Sequence, residues 1–298
     1  MVREVRPPQA GLMGFYPVRK PQLIKMIEEC FNDDVWGPGG KPSPGSVSTE
    51  VVGGVAPHAG YTYSGPCAAY LYKLIGDCGR KYDTVVVLGT NHTGFGGVVN
   101  TTKRYVWSTP LGNVDIDEDF IDIMLKSSRL VVDEPLAMLE EHSVEVQLPF
   151  LQYVLGSEFR LVPLVLKWLG PSEARGLAEL IYRVGRDLGR ELLVIASSDF
   201  THHGPMYGYV LYYEDVARKV KELDMRFIEK ILALDTESFL NELSRYRATV
   251  CGPGAIATFI EYVKLVGGRA ELLKYYNSAE LTRDESAAVG YAAIAARK

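Results

Sequence analysis

The stretch DTVVVLGTNHTG, residues 83–94, decides the fold. From Asp83 to Leu88 it runs apolar with no polar alternation, then breaks into Gly89-Thr90-Asn91-His92-Thr93-Gly94. A strand wetted on one face alternates polar and apolar residues. A continuous apolar run suits a strand buried on both faces, as in a mostly parallel sheet covered by helices. The unit recurs: Glu50 to Ala56 (EVVGGVA) ends at Pro57-His58-Ala59-Gly60, and Glu191 to Ala196 (ELLVIA) ends at Ser197-Ser198-Asp199-Phe200-Thr201-His202-His203-Gly204. Phe159 to Leu166 supplies another strand, and Glu271 to Tyr276 and Ala287 to Ala295 are strand-like.

Helical patterns fill the intervals. Pro21 to Phe31 predicts a short first helix, and SGPCAAYLYKLIG predicts one capped by Ser64 with Pro66 in its first turn. Further helical periods cover Asp117 to Lys126, Ser143 to Leu155, Ser172 to Leu188, Glu214 to Leu232, Thr236 to Tyr246 and Pro253 to Val266. Gly37 to Ser48 is dense in Gly, Pro and Ser and reads as a surface loop. The expectation is an α/β protein, one domain over residues 1–298, with a mostly parallel central sheet flanked by helices.

The bulk properties narrow the function. With 298 residues and 47% hydrophobic content, the chain can bury a substantial core. A formal net charge of -5 leaves no excess of cation to neutralise phosphates, which argues against nucleic acid as a partner. The start, MVREVRPPQAGLMGFYP, lacks the apolar stretch of a secretory signal, and no apolar run is long enough to span a bilayer; a cytoplasmic protein without a membrane partner is expected. Four scattered cysteines with no CxxC pair suggest free thiols. Cys67 and Cys78 fall in or beside an apolar helical pattern and read as small core residues.

All five histidines, His58, His92, His142, His202 and His203, lie just past strands or at a helix start. In open α/β sheets ligands collect outside the carboxyl ends of the strands, so the loops carrying His58, His92 and His202 converge on one place. The glycines in PHAG, NHTGFGG, HHG and CGPG let the backbone turn sharply or approach a ligand closely there, although ordinary strand-to-helix turns also use them. Cys251 precedes Gly252-Pro253, which opens a helix; the positive end of a helix dipole lowers a thiol's pKa. Two imidazoles and a thiolate, His58, His92 and Cys251, suit copper, iron or zinc and leave a coordination position open. The competing reading of Cys251 is a buried, inert thiol.

Asp199 and His202 are three apart beside one strand end, which makes His202 the candidate proton carrier and Asp199 its orienter. His203 is a substitute for His202. The segment Glu140-Glu141-His142-Ser143-Val144-Glu145 offers His142 and Glu145 as pocket walls, or else a solvated acidic helix start. Tyr61 and Tyr63 flank His58 as pocket-lining candidates, against the fact that the chain holds 18 tyrosines.

Seven ordered motifs carry a resemblance: APHAGYTYSGP at 56–66, LGTNHTG at 88–94, TPLGNVDID at 109–117, EEHSVEVQLPFLQY at 140–153, IASSDFTHHG at 195–204, CGPGAI at 251–256 and VGYAAI at 289–294. Together they resemble the Memo family, named for a mediator of ErbB-driven cell motility, from about Gly11 to the C-terminus. The resemblance implies a fold like that of class III extradiol ring-cleaving dioxygenases. It assigns the metal pocket to His58, His92 and Cys251, and the catalytic histidine to His202 beside Asp199. It also implies copper or iron with redox consequences, phosphotyrosine peptides as ligands of animal members, and AMMECR-type and radical-SAM proteins as partners of microbial ones. Two departures stand out. The thiolate replaces the carboxylate of the dioxygenase iron site, which moves preference toward copper(I) or zinc and away from ring cleavage. The start GLMGFYP at 11–17 is longer than the family's compact AGxxYP-like start.

Three functions are expected on these grounds. The first is metal-dependent redox chemistry on a small ligand, with His202 moving protons. The second is a non-catalytic peptide- or metabolite-binding scaffold using the same pocket, and the third a metal-dependent hydrolase.

Overall fold

The computed structural model describes residues 4–298. Four parallel strands form the centre of the main sheet, in the order Val51–Ala56, Leu192–Ser197, Thr84–Thr90, Arg160–Leu166. These are the continuous apolar runs, and nearly every residue in them is buried. The sheet becomes mixed toward its edges. Ala288–Arg297 pairs antiparallel with Val51–Ala56 and carries Arg269–Asn277 on its other side. Across the sheet Val99–Thr101 pairs antiparallel with Arg160–Leu166, and Val131–Asp133 lies parallel to Val99–Thr101. A second, small sheet joins Glu4–Arg6 to Tyr105–Thr109 and Gly112–Val114.

Adjacent residues of a strand point to opposite faces, so Gly53 and Gly54 report on both. A side chain at Gly53 would meet Phe259 of the Pro253–Leu265 helix, and one at Gly54 would meet Leu71 of the Tyr61–Cys78 helix. Helices therefore cover the sheet on both sides, and the glycine pair lets them approach closely. Pro253–Leu265 packs with Pro171–Asp187, and Tyr61–Cys78 with Lys20–Asn32 and Leu148–Leu155. Among the described residues no helix is long and apolar enough to cross a membrane.

Two boundaries depart from the sequence reading. The helix expected to be capped by Ser64 begins at Tyr61; the Tyr61 amide bonds to the Phe15 carbonyl, and the Ser64 hydroxyl donates back to the Ala59 carbonyl at 2.8 Å. The period over Ser143 to Leu155 divides into His142–Glu145 and Leu148–Leu155, because Pro149 starts a helix of its own.

Candidate metal centre

The carboxyl ends of three central strands deliver the site: Ala56 leads to His58, Thr90 to His92, and Ser197 to Asp199 and His202. His58 is fully buried, and its Nδ1 lies 3.1 Å from the Ser197 hydroxyl. That hydroxyl already donates to the Ser143 carbonyl at 2.6 Å and accepts from the Gln147 amide at 2.7 Å. It can only accept from His58, so Nδ1 carries the proton and Nε2 keeps its lone pair. Among the described residues Nε2 is buried with no hydrogen-bond partner. Burial first, then the neighbouring His92, pushes the His58 pKa down to about 3, so the ring is neutral at physiological pH.

His92 and His142 stand against this ring. The His58 ring meets each edge-on at 5.3 Å between centroids, and His92 and His142 stack at 4.5 Å. Glu141, wholly buried, fixes the arrangement: it accepts from the His92 Nδ1 at 2.9 Å and from the backbone amides of His92 and Ser143 at 2.8 and 2.9 Å. Burial pushes the Glu141 carboxyl up, but the His92 hydrogen bond and charge outweigh it and hold the group at about 2. Burial and then His58 push His142 down to about 3.

On the other side of His58 lie Asp199 and Cys251. Asp199 Oδ1 accepts the His58 and Ala59 amides at 2.8 and 3.3 Å, and burial raises its pKa. The Cys251 sulfur lies 3.8 and 3.9 Å from the two His202 ring nitrogens. Its pKa is pushed well above the usual thiol value by burial, then by Asp199 and Glu141. The lowered pKa expected from the helix start does not occur, because desolvation and two carboxylates outweigh a dipole that acts only near the first turn.

Donor atoms within 4.8 Å of one another form two groups among the described residues: His58 with His92 and His142, and His58 with Asp199 and Cys251. The expected trio of His58, His92 and Cys251 is divided between them, with His58 common to both. The residues present fit a transition ion. Two rings, His58 and His92, have their Nδ1 atoms tied to Ser197 and Glu141, the backing that metal-bound imidazoles receive, and the His58 Nε2 is buried without a partner.

His202 sits beside the group, its Nδ1 donating to the Phe200 and Thr249 carbonyls at 3.0 and 3.3 Å. Backbone oxygens therefore orient it, rather than the Asp199 carboxylate. It borders an open cleft of about 360 Å³ that Asp199, Tyr63, Tyr207 and Tyr291 also line.

Other expected site residues are placed elsewhere. His203 points away: it is buried, stacks on Tyr212, and its Nε2 accepts the Leu211 and Tyr212 amides at 3.0 and 3.1 Å. Strand alternation separates it from its neighbour His202. Glu145 is wholly buried under Arg6, Tyr16 and the Ala10 amide, so it anchors the N-terminal segment instead of walling the pocket. Tyr61 is buried behind the site, its hydroxyl on the Val146 carbonyl at 2.7 Å. Sequence reading missed the supporting roles of Glu141, Ser197 and Gln147. The only available signal was that Glu141 sits directly before a histidine and Ser197 directly after a buried strand.

Fold and site together define an α/β protein with a histidine-rich candidate metal centre at the carboxyl ends of parallel strands. The family described as Memo-like protein matches residues 6–295. Relatives include a MEMO1 family protein of Desulfurococcus amylolyticus, 42% identical over 94% of this chain and 95% of its own length. One from Methanopyrus kandleri is 43% identical over 95% and 96%, and one from Pyrococcus abyssi 40% over 95% and 97%. The chain belongs to the Memo family.

Proposed function

We propose that the strand-end loops hold one redox-active first-row transition ion, copper or iron, and that the protein performs metal-dependent redox chemistry on a small ligand reaching it past His202. The observation that carries this reading is the His58 Nε2: a buried nitrogen with a lone pair and no partner is costly unless something binds it. His58 would hold the ion in either donor group, joined by His92 and His142 on one side or by Cys251 and Asp199 on the other. Imidazole donors suit copper, iron and zinc, and a thiolate adds preference for the softer ions. Such an ion supplies electron transfer and a positive charge for developing anions.

The chain's own residues supply the rest. Because the His202 Nδ1 proton is committed to two carbonyl oxygens, its Nε2 is the nitrogen free to take or return a proton. Asp199 locks the His58 backbone by accepting two amides, and so fixes where the ring stands. Cys251, in reach of His202, can pass its proton there and become a thiolate donor.

The test is metal content of protein purified anaerobically under reducing conditions, as wild type, His58→Ala and Cys251→Ser. About one equivalent of copper or iron in wild type, lost in His58→Ala, is expected. Equal trace metal in wild type and His58→Ala would remove the reading. Stoichiometric zinc alone would favour the hydrolase instead.

A further inference from the structure

The cleft beside His202 has its own chemistry. Asp199 and Tyr291 line it while only 3% and 2% exposed. Among the described residues neither the second carboxylate oxygen of Asp199 nor the Tyr291 hydroxyl has a hydrogen-bond partner, and both stay accessible from the cleft. Two polar atoms that belong to nearly buried residues, lack a protein partner and open onto a cavity mark a place where a ligand can be held. The remaining walls say what kind of ligand. Tyr63 and Tyr207 add two more aromatic rings, Met206 an apolar surface and Asp284 a second carboxylate, while among the described residues no lysine or arginine lines the cleft.

We infer that this cleft takes a small cationic amine, its ammonium paired with Asp284 and hydrogen-bonded to the open carboxyl oxygen of Asp199, faced by the rings of Tyr63, Tyr207 and Tyr291, with its apolar body against Met206. Ammonium groups are attracted to aromatic faces and to carboxylates. A phosphate-bearing ligand finds no lysine or arginine among the described lining residues to pair with. The inference rests on the redox reading only for the fate of the bound amine; its capture needs no ion.

Calorimetry on the full chain after chelator dialysis tests it with three probes that share a ring: tyramine, 4-ethylphenol and O-phosphotyrosine. Tyramine is expected to bind about tenfold more tightly than the uncharged 4-ethylphenol, and O-phosphotyrosine not measurably. Asp284→Asn should weaken tyramine severalfold and leave 4-ethylphenol unchanged. Equal or tighter binding of 4-ethylphenol, binding of O-phosphotyrosine, or no binding of tyramine at millimolar concentration overturns the inference. Repeating the titrations on protein that fails to take up copper or iron separates the two proposals, since tyramine binding should persist even where the metal reading has failed.

Discussion

Glu141 and Glu145 are wholly buried carboxylates four residues apart, yet they serve two different regions. Glu145 faces the N-terminal segment. Arg6 pairs with it, donates to the Met138 and Glu141 carbonyls at 2.8 and 2.6 Å, and lies 4.1 Å over the Trp107 ring. Tyr16 and the amides of Ala10 and Gly11 complete that knot. Glu141 faces the histidines, and its main side-chain partner is a ring that is neutral when it binds a metal. A permanent cation makes the first region a fixed anchor. An imidazole whose second nitrogen stays available makes the second a candidate metal centre.

That contrast can be broken most forcefully at the anchor. Arg6→Ala leaves Glu145 charged and unpaired in a dry environment, and should cost about 3–5 kcal/mol in chemical denaturation. A loss below about 1 kcal/mol would show that the knot is ornamental. At the site the same kind of change should act on metal and spare the fold. Glu141→Gln removes the carboxylate that orients His92 and should weaken metal binding about 10- to 100-fold by competitive chelator titration. If Glu141→Gln unfolds the protein while metal affinity per folded molecule is unchanged, the two carboxylates are both structural.

The histidine pair repeats the contrast at neighbouring positions. His203→Ala strands two backbone amides and should cost about 1–3 kcal/mol, with metal and ligand binding unchanged. His202→Asn should leave thermal stability near wild type and remove the proton-transfer limb of any pH–rate profile.

A third buried carboxylate, Asp224, has neither cation nor imidazole among the described residues, and its effect shows in the pH dependence. Thr201 donates to it through its hydroxyl at 2.5 Å and its amide at 3.2 Å, and the Tyr275 hydroxyl donates at 2.7 Å. Burial dominates and pushes its pKa up to about 7. In the unfolded chain the group titrates at about 3.9, so between these values the folded protein binds more protons. Its contribution is therefore full below the unfolded value and is lost as pH rises to the folded one. Asp224→Asn should gain stability relative to wild type from about pH 4 to about pH 7, read as denaturation midpoints. An unchanged difference across that range would place the carboxyl pKa back near its ordinary value.

Much of this was legible in the chain. The uninterrupted runs at Asp83 to Leu88 and Glu191 to Ala196 dictate buried strands, because only a strand covered on both faces can hide every residue. The rule that ligands gather at carboxyl ends then placed His58, His92 and His202 together before any coordinates. The antiparallel edges were not legible, since pairing direction depends on which distant strand arrives alongside. Asp199 was read as the orienter of His202 from a spacing of three, but in a loop that spacing fixes no direction, and the carboxylate turned to the His58 backbone.

The amino-acid sequence alone determined the layered α/β architecture, the family and the loops in which chemistry resides, because these depend on local hydrophobic pattern and on motifs that are contiguous in the chain. Tertiary structure decided which donors share a cluster, which of two adjacent histidines borders the cleft and whether the Cys251 thiol is acidic or suppressed. Those outcomes depend on burial and on charges brought in from remote segments, and both fall off over a few ångströms, a scale on which position along the chain carries no information.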